Sequence, residues 1–183
     1  MNLEHVILVN KYGRKTGSME KQEVHEKGLL HRAFSVFIFN SEGRMMLQKR
    51  AANKYHSGGL WTNTCCGHPR PGEKTLNAAK RRLYEEMGIT CKLTNFFSFI
   101  YFSALGNNLI EHELDHVFIG NCDKKPSPNP LEAEDWKLTN VKWIQNDLIE
   151  NNDRYSAWFK IAFPQVIQIF NYREVAANNF NSK

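Results

Sequence analysis

The sequence predicts an α/β fold in which a mixed β-sheet is flanked by helices. Two observations indicate this class: several short runs rich in branched and aromatic residues, typical of strands, and two stretches with apolar residues at helical spacing. A length of 183 residues and a hydrophobic fraction of 42% suit one domain with a sizeable core. We therefore expect a single domain over residues 1–183, with a flexible Asn-rich tail at about 174–183.

The N-terminal part of the chain is expected to supply a strand and a hairpin. His5–Asn10 is a short apolar run that predicts a strand. Leu30–Phe39 is rich in aromatic and branched residues, and the turn signal Asn40–Gly43 separates it from Arg44–Arg50. These two segments therefore predict the two strands of the hairpin.

A helix is predicted over Lys74–Met87, because apolar residues recur there at helical spacing. The recurring positions are Leu76, Ala79, Leu83 and Met87. Gly88 follows directly and is typical of a helix C-terminus. This prediction places Glu85 and Glu86 on the last turn of the helix.

Beyond this helix the pattern returns to strands. Ile89–Ser103 and Leu109–Asn121 predict two long strands, joined by a turn at residues 106–108, which read Gly-Asn-Asn. The proline-punctuated segment Lys124–Pro130 predicts a surface loop. The sheet is therefore expected to contain a second hairpin.

The C-terminal part is expected to begin with a short strand, Val141–Gln145, and then to become helical from Asn146 onward. Four residues of this helical segment recur at the spacing of one buried face. They are Trp158, Ile161, Ala162 and Val166.

Cysteine spacing, net charge and hydropathy argue against several classes of protein, namely disulfide-bonded, nucleic-acid-binding, exported and membrane proteins. The four cysteines (Cys65, Cys66, Cys91 and Cys122) have no C-x-x-C spacing, and a disulfide between adjacent cysteines would be strained. The net charge of +5 is dispersed, so nucleic-acid binding is weakly supported. Signal-peptide and membrane-span patterns are absent from the sequence. We expect a cytoplasmic protein with reduced thiols that binds neither nucleic acid nor membranes.

The most informative stretch is Trp61–Pro69, which reads Trp-Thr-Asn-Thr-Cys-Cys-Gly-His-Pro. It continues into a pattern similar to the Nudix box: Gly67, then Glu73 after five residues, then Arg81–Ile89 after seven more. In Nudix hydrolases the box helix presents carboxylates to Mg²⁺ on a substrate diphosphate. The pattern therefore indicates a site for a compound that contains a diphosphate.

Two residues depart from a hydrolytic box. Arg82 stands where the box has a glutamate, and this exchange weakens the metal platform while adding a phosphate contact. Cys66 is a thiol where hydrolases of this family have none. Its ordinary alternative is a buried inert thiol, but the neighbouring box favours a catalytic role. Together these departures predict chemistry other than hydrolysis.

Glu111 and Glu113 form a second group, on the second long predicted strand. Strand alternation puts both carboxylates on one face and His112 on the other. Two neighbouring carboxylates repel unless they are solvated or share a cation. They suit half of a metal site, although taken alone they are better explained as a polar strand face in water.

Three histidines are candidate metal ligands. His25 and His31 are separated by Gly28, which breaks helical order, and singly each is an ordinary polar residue that a loop can bring to a ligand position. His68 is the stronger candidate because it lies inside the motif that carries phosphate chemistry.

With these residues in view, the chain resembles the type 1 isopentenyl-diphosphate Δ-isomerases of the Nudix superfamily, from about His5 to about Phe170. The motif Thr62–Pro69, the two strand glutamates and the order of the histidines and Tyr101 carry the resemblance. It implies a Nudix-type α/β/α sandwich with a mixed sheet. It also implies interconversion of isopentenyl diphosphate and dimethylallyl diphosphate, by protonation and deprotonation through a carbocation, in isoprenoid precursor biosynthesis.

The resemblance further implies the residues of the site. A metal (Mn²⁺, Zn²⁺ or Mg²⁺) is expected on five ligands, which leave one octahedral position open. These ligands are His25, His31, His68, Glu111 and Glu113. A second ion, Mg²⁺, is expected to accompany the substrate diphosphate at Glu86.

Catalytic and substrate-binding roles follow from the same resemblance. Cys66 is expected on one side of the substrate as the proton-transferring thiol, and Glu113 with Tyr101 on the other. The implied substrate-binding residues are Lys21, Arg50, Lys54, Arg82 and Trp158. For Trp158 plain core packing is an equally good interpretation, and for Trp61 it is the better one.

One loop departs from the resemblance. Many relatives have an aromatic residue and a proline before the Gly-x-Trp of the thiol motif, whereas this chain has His56–Leu60 there. We expect this loop to be more mobile, with His56 as a solvated loop histidine.

Two other functions compete with the isomerase. The first is a Nudix hydrolase acting on a nucleoside or dinucleotide diphosphate, which the box favours but Arg82 and Cys66 disfavour. The second is a catalytically silent metal- or phosphate-binding domain, which has no need for a positioned thiol, Tyr101 and Glu113 together. For any of these functions the expected partner is a small molecule; we expect a monomer, with a homodimer as the alternative.

Overall fold

The sheet has nine strands and carries helices on both faces. The computed structural model describes residues 4–180, with side chains described up to residue 169. The strands are β1 (His5–Val9), β2 (Lys15–Glu20), β3 (His31–Phe39), β4 (Met45–Arg50), β5 (Trp61–Thr62), β6 (Cys65–Gly67), β7 (Leu93–Ala104), β8 (Ile110–Asn121) and β9 (Ala133–Thr139). The helices are α1 (Lys21–Lys27), α2 (Thr75–Met87), α3 (Val141–Glu150) and α4 (Ala157–Phe180), with a 3₁₀ turn at Asn152–Arg154. Within the described range no helix has the length and hydropathy of a membrane span.

Strand β3 is the centre of the sheet. Along one edge it pairs in parallel with β8, in register from His31 opposite Glu113 to Phe39 opposite Asn121. Along the other edge it pairs antiparallel with β1, β6 and β4 in turn. The sheet extends through β1 to β2, through β8 to β7, and through β4 to β5 and β9. The predicted mixed sheet is therefore confirmed.

Two hydrophobic cores sandwich this central strand. Phe34, Val36 and Ile38 point to one face and pack with the apolar side of α2. Phe37 and Phe39 point to the other face and pack with α4. Because successive side chains of a strand alternate between faces, the uninterrupted apolar run of β3 supplies both cores. The α/β/α sandwich predicted from the resemblance is confirmed.

The β3–β4 hairpin opens into a fork just beyond its turn. The two strands pair only at Ile38 with Met46 and Phe39 with Met45. Past that point the segment 61–67 lies between them, with β5 paired to β4 and β6 paired to β3. At the apex of the fork, the hydroxyl of Thr64 accepts a hydrogen bond from the Ile38 amide (3.0 Å) and donates one to the Met46 carbonyl (2.6 Å). The side chain thus replaces a link that the two strands no longer make directly.

Five of the six predicted strands and the first predicted helix are confirmed within a few residues at their ends. Asn107 and Asn108 join β7 to β8 with positive φ angles of 61° and 57°, a conformation that asparagine tolerates better than most residues. The predicted loop Lys124–Pro130 has no regular structure, and its Ser127 amide donates to the last carbonyl of α2, at Met87 (2.9 Å).

The predicted strand Val141–Gln145 is wrong, because these residues form the first half of α3. The Asn140 side chain caps this helix by accepting a hydrogen bond from the Trp143 amide (2.7 Å). Val141, Ile144 and Leu148 lie at helical spacing and contact the core, a pattern that a five-residue window does not reveal.

The helix predicted from Asn146 onward is divided into α3 and α4 by the 3₁₀ turn. Its predicted buried face is confirmed, with Ile161 partly rather than fully buried. The expected flexible tail, residues 174–183, falls at the end of the described range: α4 runs to Phe180, and residues 181–183 lie outside the described residues.

Five short elements were not predicted from the sequence: α1, β2, β5, β6 and β9. Strand β2 has little apolar character, and β5 and β6 are only two and three residues long. Helix α1 has seven residues, and Glu20 caps it by accepting hydrogen bonds from the Gln22 and Glu23 amides (both 3.0 Å). Elements of this length depend on tertiary packing rather than on intrinsic propensity.

The fork yields a stability prediction. Replacing Thr64 with Val should lower the free energy of unfolding by about 2–6 kcal/mol, because two buried backbone groups lose their partner at about 1–3 kcal/mol each. Urea denaturation followed by circular dichroism measures the change. Thr94→Val on the exposed side of β7 is the control and should change stability by about 0.5 kcal/mol or less. Equal losses in both variants would contradict a special role for the Thr64 hydroxyl.

Candidate active site

Most of the site residues predicted from the sequence line one cleft, a cavity of about 180 Å³. They are Lys21, Arg50, Lys54, Cys66, His68, Arg82, Glu86, Glu111, Glu113 and Trp158. The remaining three, His25, His31 and Tyr101, are buried next to it. Residues from five strands, three helices and two loops therefore converge on one place.

The register of three adjacent strands aligns the core of the site. His31 of β3 lies opposite Glu113 of β8, and Glu113 lies opposite Tyr101 of β7. On the other edge of β3, Ser35 lies opposite Cys66 of β6. Since cross-strand partners share a face, Cys66 and Glu113 project from the same face of the sheet on opposite sides of β3.

The three histidines present ring nitrogens toward a common point. The Nδ1–H groups of His25 and His31 donate to the carbonyls of Lys21 (2.7 Å) and Leu29 (2.8 Å), because a carbonyl can only accept. Each Nε2 is therefore the ring nitrogen that remains to bind another group, and it faces inward. His25 Nε2 is buried and has no hydrogen-bond partner among the residues that the structure describes.

These nitrogens and one carboxylate form a cluster that fits a divalent metal ion. One ligand atom each from His25, His31, His68 and Glu113 lies within 4.8 Å of the others. Ligands on opposite sides of an ion at about 2.0–2.2 Å are roughly 4–4.4 Å apart, so the cluster is close to coordination size. Burial lowers the pKa of His25, and lowers that of His68 to about 4, so the rings are neutral as ligands require. The hydrogen bonds on Nδ1 are the outer-shell support typical of metal-binding histidines.

Glu111 and Glu113 are buried, with 3% and 7% of their surface exposed, so their interpretation as a solvated strand face is wrong. Tyr101 Oη lies 2.9 Å from Glu111 Oε2 and 2.7 Å from Glu113 Oε2. Burial and the neighbouring Glu113 charge raise the pKa of Glu111. Burial also raises the pKa of Glu113, but the neighbouring His31 and His68 rings outweigh burial and hold this pKa well below the usual range. The pair therefore favours one neutral and one ionised carboxyl.

Cys66 presents its thiol to the cleft. Burial raises the pKa of this thiol to about 12, although the Arg50 guanidinium, whose Nη1 lies 4.0 Å from the sulfur, acts in the opposite direction. Cys65 points to the other face and packs beneath α2. All four cysteines are free thiols.

The four predicted phosphate-binding cations also meet here. Arg82 forms ion pairs with Glu86 (2.8 Å) and Glu132 (3.0 Å), and Lys54 pairs with Glu132 as well. Lys21 pairs with Glu4 (3.1 Å). These carboxylates hold the cations at one end of the cleft, where an anionic substrate group can compete for them.

Arg50 and Trp158 are positioned together. Arg50 donates to the backbone carbonyls of His56 (3.3 Å) and Ser57 (3.2 Å), and its guanidinium lies 5.1 Å from the centre of the Trp158 ring. Trp158 packs in the core, as one interpretation predicted, and also lines the cleft, where its role toward a substrate stays a prediction. Trp61 packs against the core, as predicted.

Several residues of the site were not predicted from the sequence. Asn63 donates to the carbonyls of Cys65 (2.6 Å) and Val36 (3.2 Å) and accepts from Trp158 Nε1 (3.2 Å), so it joins the indole to the thiol segment. Gln48 donates to Glu86 (2.9 Å), and Asp115 is a third buried carboxylate on the face of Glu111 and Glu113. Of these residues, only Asn63 could have been noticed in the sequence, because it lies inside the thiol motif.

The expectation that His56 is exposed to solvent is wrong. Its side chain is 9% exposed and faces the cleft, so it is not a solvated loop histidine. Burial and the Arg50 charge lower its pKa to about 3, so the ring is neutral.

Similarity to known proteins agrees with this geometry. Residues 29–159 match the NUDIX domain family. The chain is 51% identical over 164 residues to isopentenyl-diphosphate Delta-isomerase 2 of Aromatoleum aromaticum, covering 90% of this chain and 87% of that protein. It is 50% identical over 166 residues to isopentenyl-diphosphate Delta-isomerase of Pectobacterium atrosepticum, covering 91% and 93%.

Solved structures agree on the fold. DR0079 from Deinococcus radiodurans superposes with a TM-score of 0.68 at 18% identity, covering 81% of this chain and 90% of that one. Likeness at this identity shows the fold alone. The high identity to the two isomerases, together with the matched domain, shows that the chain belongs to the isopentenyl-diphosphate Delta-isomerase family and is built on a NUDIX domain.

Proposed function

We propose that the protein interconverts isopentenyl diphosphate and dimethylallyl diphosphate by proton transfer. The observation that carries this proposal is the placement of Cys66 and Glu113 on one face of the sheet, on opposite sides of β3, with a cleft between them. Isomerisation requires protonation of one carbon and removal of a proton from a neighbouring one, so it needs two separate proton-carrying groups. A hydrolase has no use for this thiol.

The basic end of the cleft would hold the diphosphate. Arg82, Arg50, Lys54 and Lys21 provide charge-assisted hydrogen bonds for the phosphate oxygens, and the guanidinium groups can bind them in pairs. Glu86 lies next to Arg82 and suits a Mg²⁺ ion bound to the same diphosphate. Binding at this end would extend the five-carbon chain toward Cys66 and Glu113.

The reaction would then proceed between the two proton-carrying groups. One of them protonates the terminal alkene carbon, the positive charge forms on the adjacent tertiary carbon, and the other removes a proton from the next carbon. The Tyr101 hydroxyl lies within hydrogen-bonding distance of both Glu111 and Glu113, so it can relay a proton between these carboxyls and the substrate. In the reverse direction the roles of acid and base exchange.

The cleft must also protect a carbocation from water. The Trp158 ring lines the cleft next to Arg50, and an aromatic face attracts a cation through its quadrupole. The cavity of about 180 Å³ lies below the roughly 300–1,000 Å³ of sites for drug-sized ligands, which favours a small substrate over a nucleotide.

The histidine–glutamate cluster would hold Mn²⁺, Zn²⁺ or Mg²⁺. His25, His31, His68 and Glu113 form one group of ligand atoms, and Glu111 belongs to an overlapping group that shares His25. When bound, the ion would supply the positive charge that stabilises the buried carboxylates and fixes the orientation of Glu113.

The proposal as a whole is tested by ¹H NMR of the protein with isopentenyl diphosphate and Mg²⁺ in D₂O, with and without Mn²⁺ or Zn²⁺. Dimethylallyl methyl signals that incorporate deuterium are expected. Phosphate release from nucleoside diphosphates without isomerisation would instead support the hydrolase.

The thiol yields the second prediction. Cys66→Ala should lower kcat by about 10²–10⁴-fold, the usual contribution of a positioned acid or base, with a small effect on KM because the diphosphate cations remain. Initial rates from the NMR assay measure both constants. Cys65→Ala is the matched control, since this neighbouring thiol points away from the cleft, and it should retain most of the activity. Equal activity of the two variants would remove Cys66 from the mechanism.

Metal removal yields the third prediction. Dialysis against a chelator should lower the Tm and abolish isomerisation, because an ion that binds only the folded state stabilises it by about 2.7 kcal/mol at a hundred times its Kd. Adding Mn²⁺ or Zn²⁺ back should restore both. In the His25→Ala variant the added metal should leave the Tm almost unchanged. A metal-dependent Tm of unchanged size in that variant would contradict the cluster as the binding site.

A further inference from the structure

His56 lies beside the proposed metal centre although it belongs to a different segment from the five expected ligands. Its ring centre is 5.8 Å from that of His25 and 6.0 Å from that of Trp158. The side chain is almost as buried as Glu113. A neutral imidazole in such a place needs a partner for its ring nitrogens.

The two ring nitrogens of His56 face different groups. Nδ1 lies 3.3 Å from the Ser57 hydroxyl, whereas Nε2 is turned inward, 3.9 Å from Glu111 Oε1. That separation is too long for a direct hydrogen bond. Nε2 is therefore available to bind a third group placed between the two side chains.

His56 belongs to a ligand-sized group. One ligand atom each from His25, His56 and Glu111 lies within 4.8 Å of the others, and His25 is shared with the cluster of His31, His68 and Glu113. His25 is thus the residue common to both groups, and its Nε2 is buried and lacks a hydrogen-bond partner in the described part of the chain. One ion bound to His25 would therefore lie close to the ligand atoms of both groups.

The loop keeps His56 at this position. Arg50 donates to the carbonyls of His56 and Ser57, and Ser57 has a positive φ of 52°. A side chain on Gly58 would place its Cβ 2.4 Å from the Ala52 carbonyl oxygen, so only glycine allows this close approach of the backbone. The backbone of this loop is therefore held in one shape by specific residues.

We propose that His56 is a further ligand of the metal centre and fills the octahedral position that the five expected ligands leave open. This inference rests on the metal centre of the proposed function. Six protein ligands would leave no position for the substrate on this ion. The ion would then act by holding Glu111 and Glu113 in place, and the diphosphate would depend on the separate cations and Glu86.

Direct ligation is tested by NMR of the full-length protein with ¹⁵N-labelled histidine rings, titrated with Zn²⁺. The Nε2 resonance of His56, assigned by its loss in His56→Gln, should shift together with those of His25, His31 and His68. This measurement uses the wild-type chain for the binding itself, so it does not depend on how the variant folds.

Affinity provides the second readout. Competition of Zn²⁺ between the protein and a chelating dye should show at least about tenfold weaker binding for His56→Gln, the lower range for losing even outer-shell support of a metal site. His116→Gln is the matched control: this histidine lies on β8, as Glu111 and Glu113 do, but contacts Ser98 on the other face, and its loss should leave the affinity unchanged.

The outcomes separate the two proposals. If the other three histidines shift while His56 does not, and His56→Gln binds Zn²⁺ as tightly as the wild type, the His56 ligand is refuted and the five-ligand centre stands. If no histidine shifts, the metal centre itself fails, and the inference about His56 fails with it.

Discussion

The site depends on one structural constraint, the insertion of residues 61–67 into the fork between β3 and β4. Thr64 bridges the two separating strands, and Asn63 bonds to the backbone on one side and to Trp158 on the other. The inserted segment also pairs with β3. Cys66, near its end, and His68, just after it, are therefore brought next to β3 and its neighbour β8. The insertion of this short motif between the two strands thus fixes the positions of Cys66 and His68.

A second constraint is the burial of acidic groups on one face of β8. Glu111, Glu113 and Asp115 all point inward, and burial of several like charges is unfavourable unless they are protonated or paired. Several contacts offset this cost: the Tyr101 hydroxyl lies within hydrogen-bonding distance of the first two, histidines surround Glu113, and Ser35 donates to Asp115 (2.8 Å). His25 Nε2 has no hydrogen-bond partner among the described residues, which is consistent with a cation as the group that completes this balance.

The box helix shows how one substitution changes the use of a scaffold. In α2, Arg82 reaches forward along the helix to Glu86 and across to Glu132, so a residue that removes one carboxylate from the box becomes part of an ion-pair bridge in the cleft. Gln48 holds the other oxygen of Glu86. In the proposed reaction the remaining carboxylate, Glu86, would serve the diphosphate, and the reacting carbons would face another set of groups on the central strands.

The sequence alone determined the elements with strong local patterns and the residues of recognisable motifs. Local patterns were enough to predict the apolar strand β3, the periodic helix α2 and the turn at Asn107, because hydrophobic periodicity and turn-forming residues act over short distances along the chain. Tertiary structure decided the rest. Whether Glu111 faces water or the interior, and whether His56 is solvated or beside His25, depends on partners far along the chain. Short elements such as α1 and β6 likewise exist only because distant residues pack and pair with them.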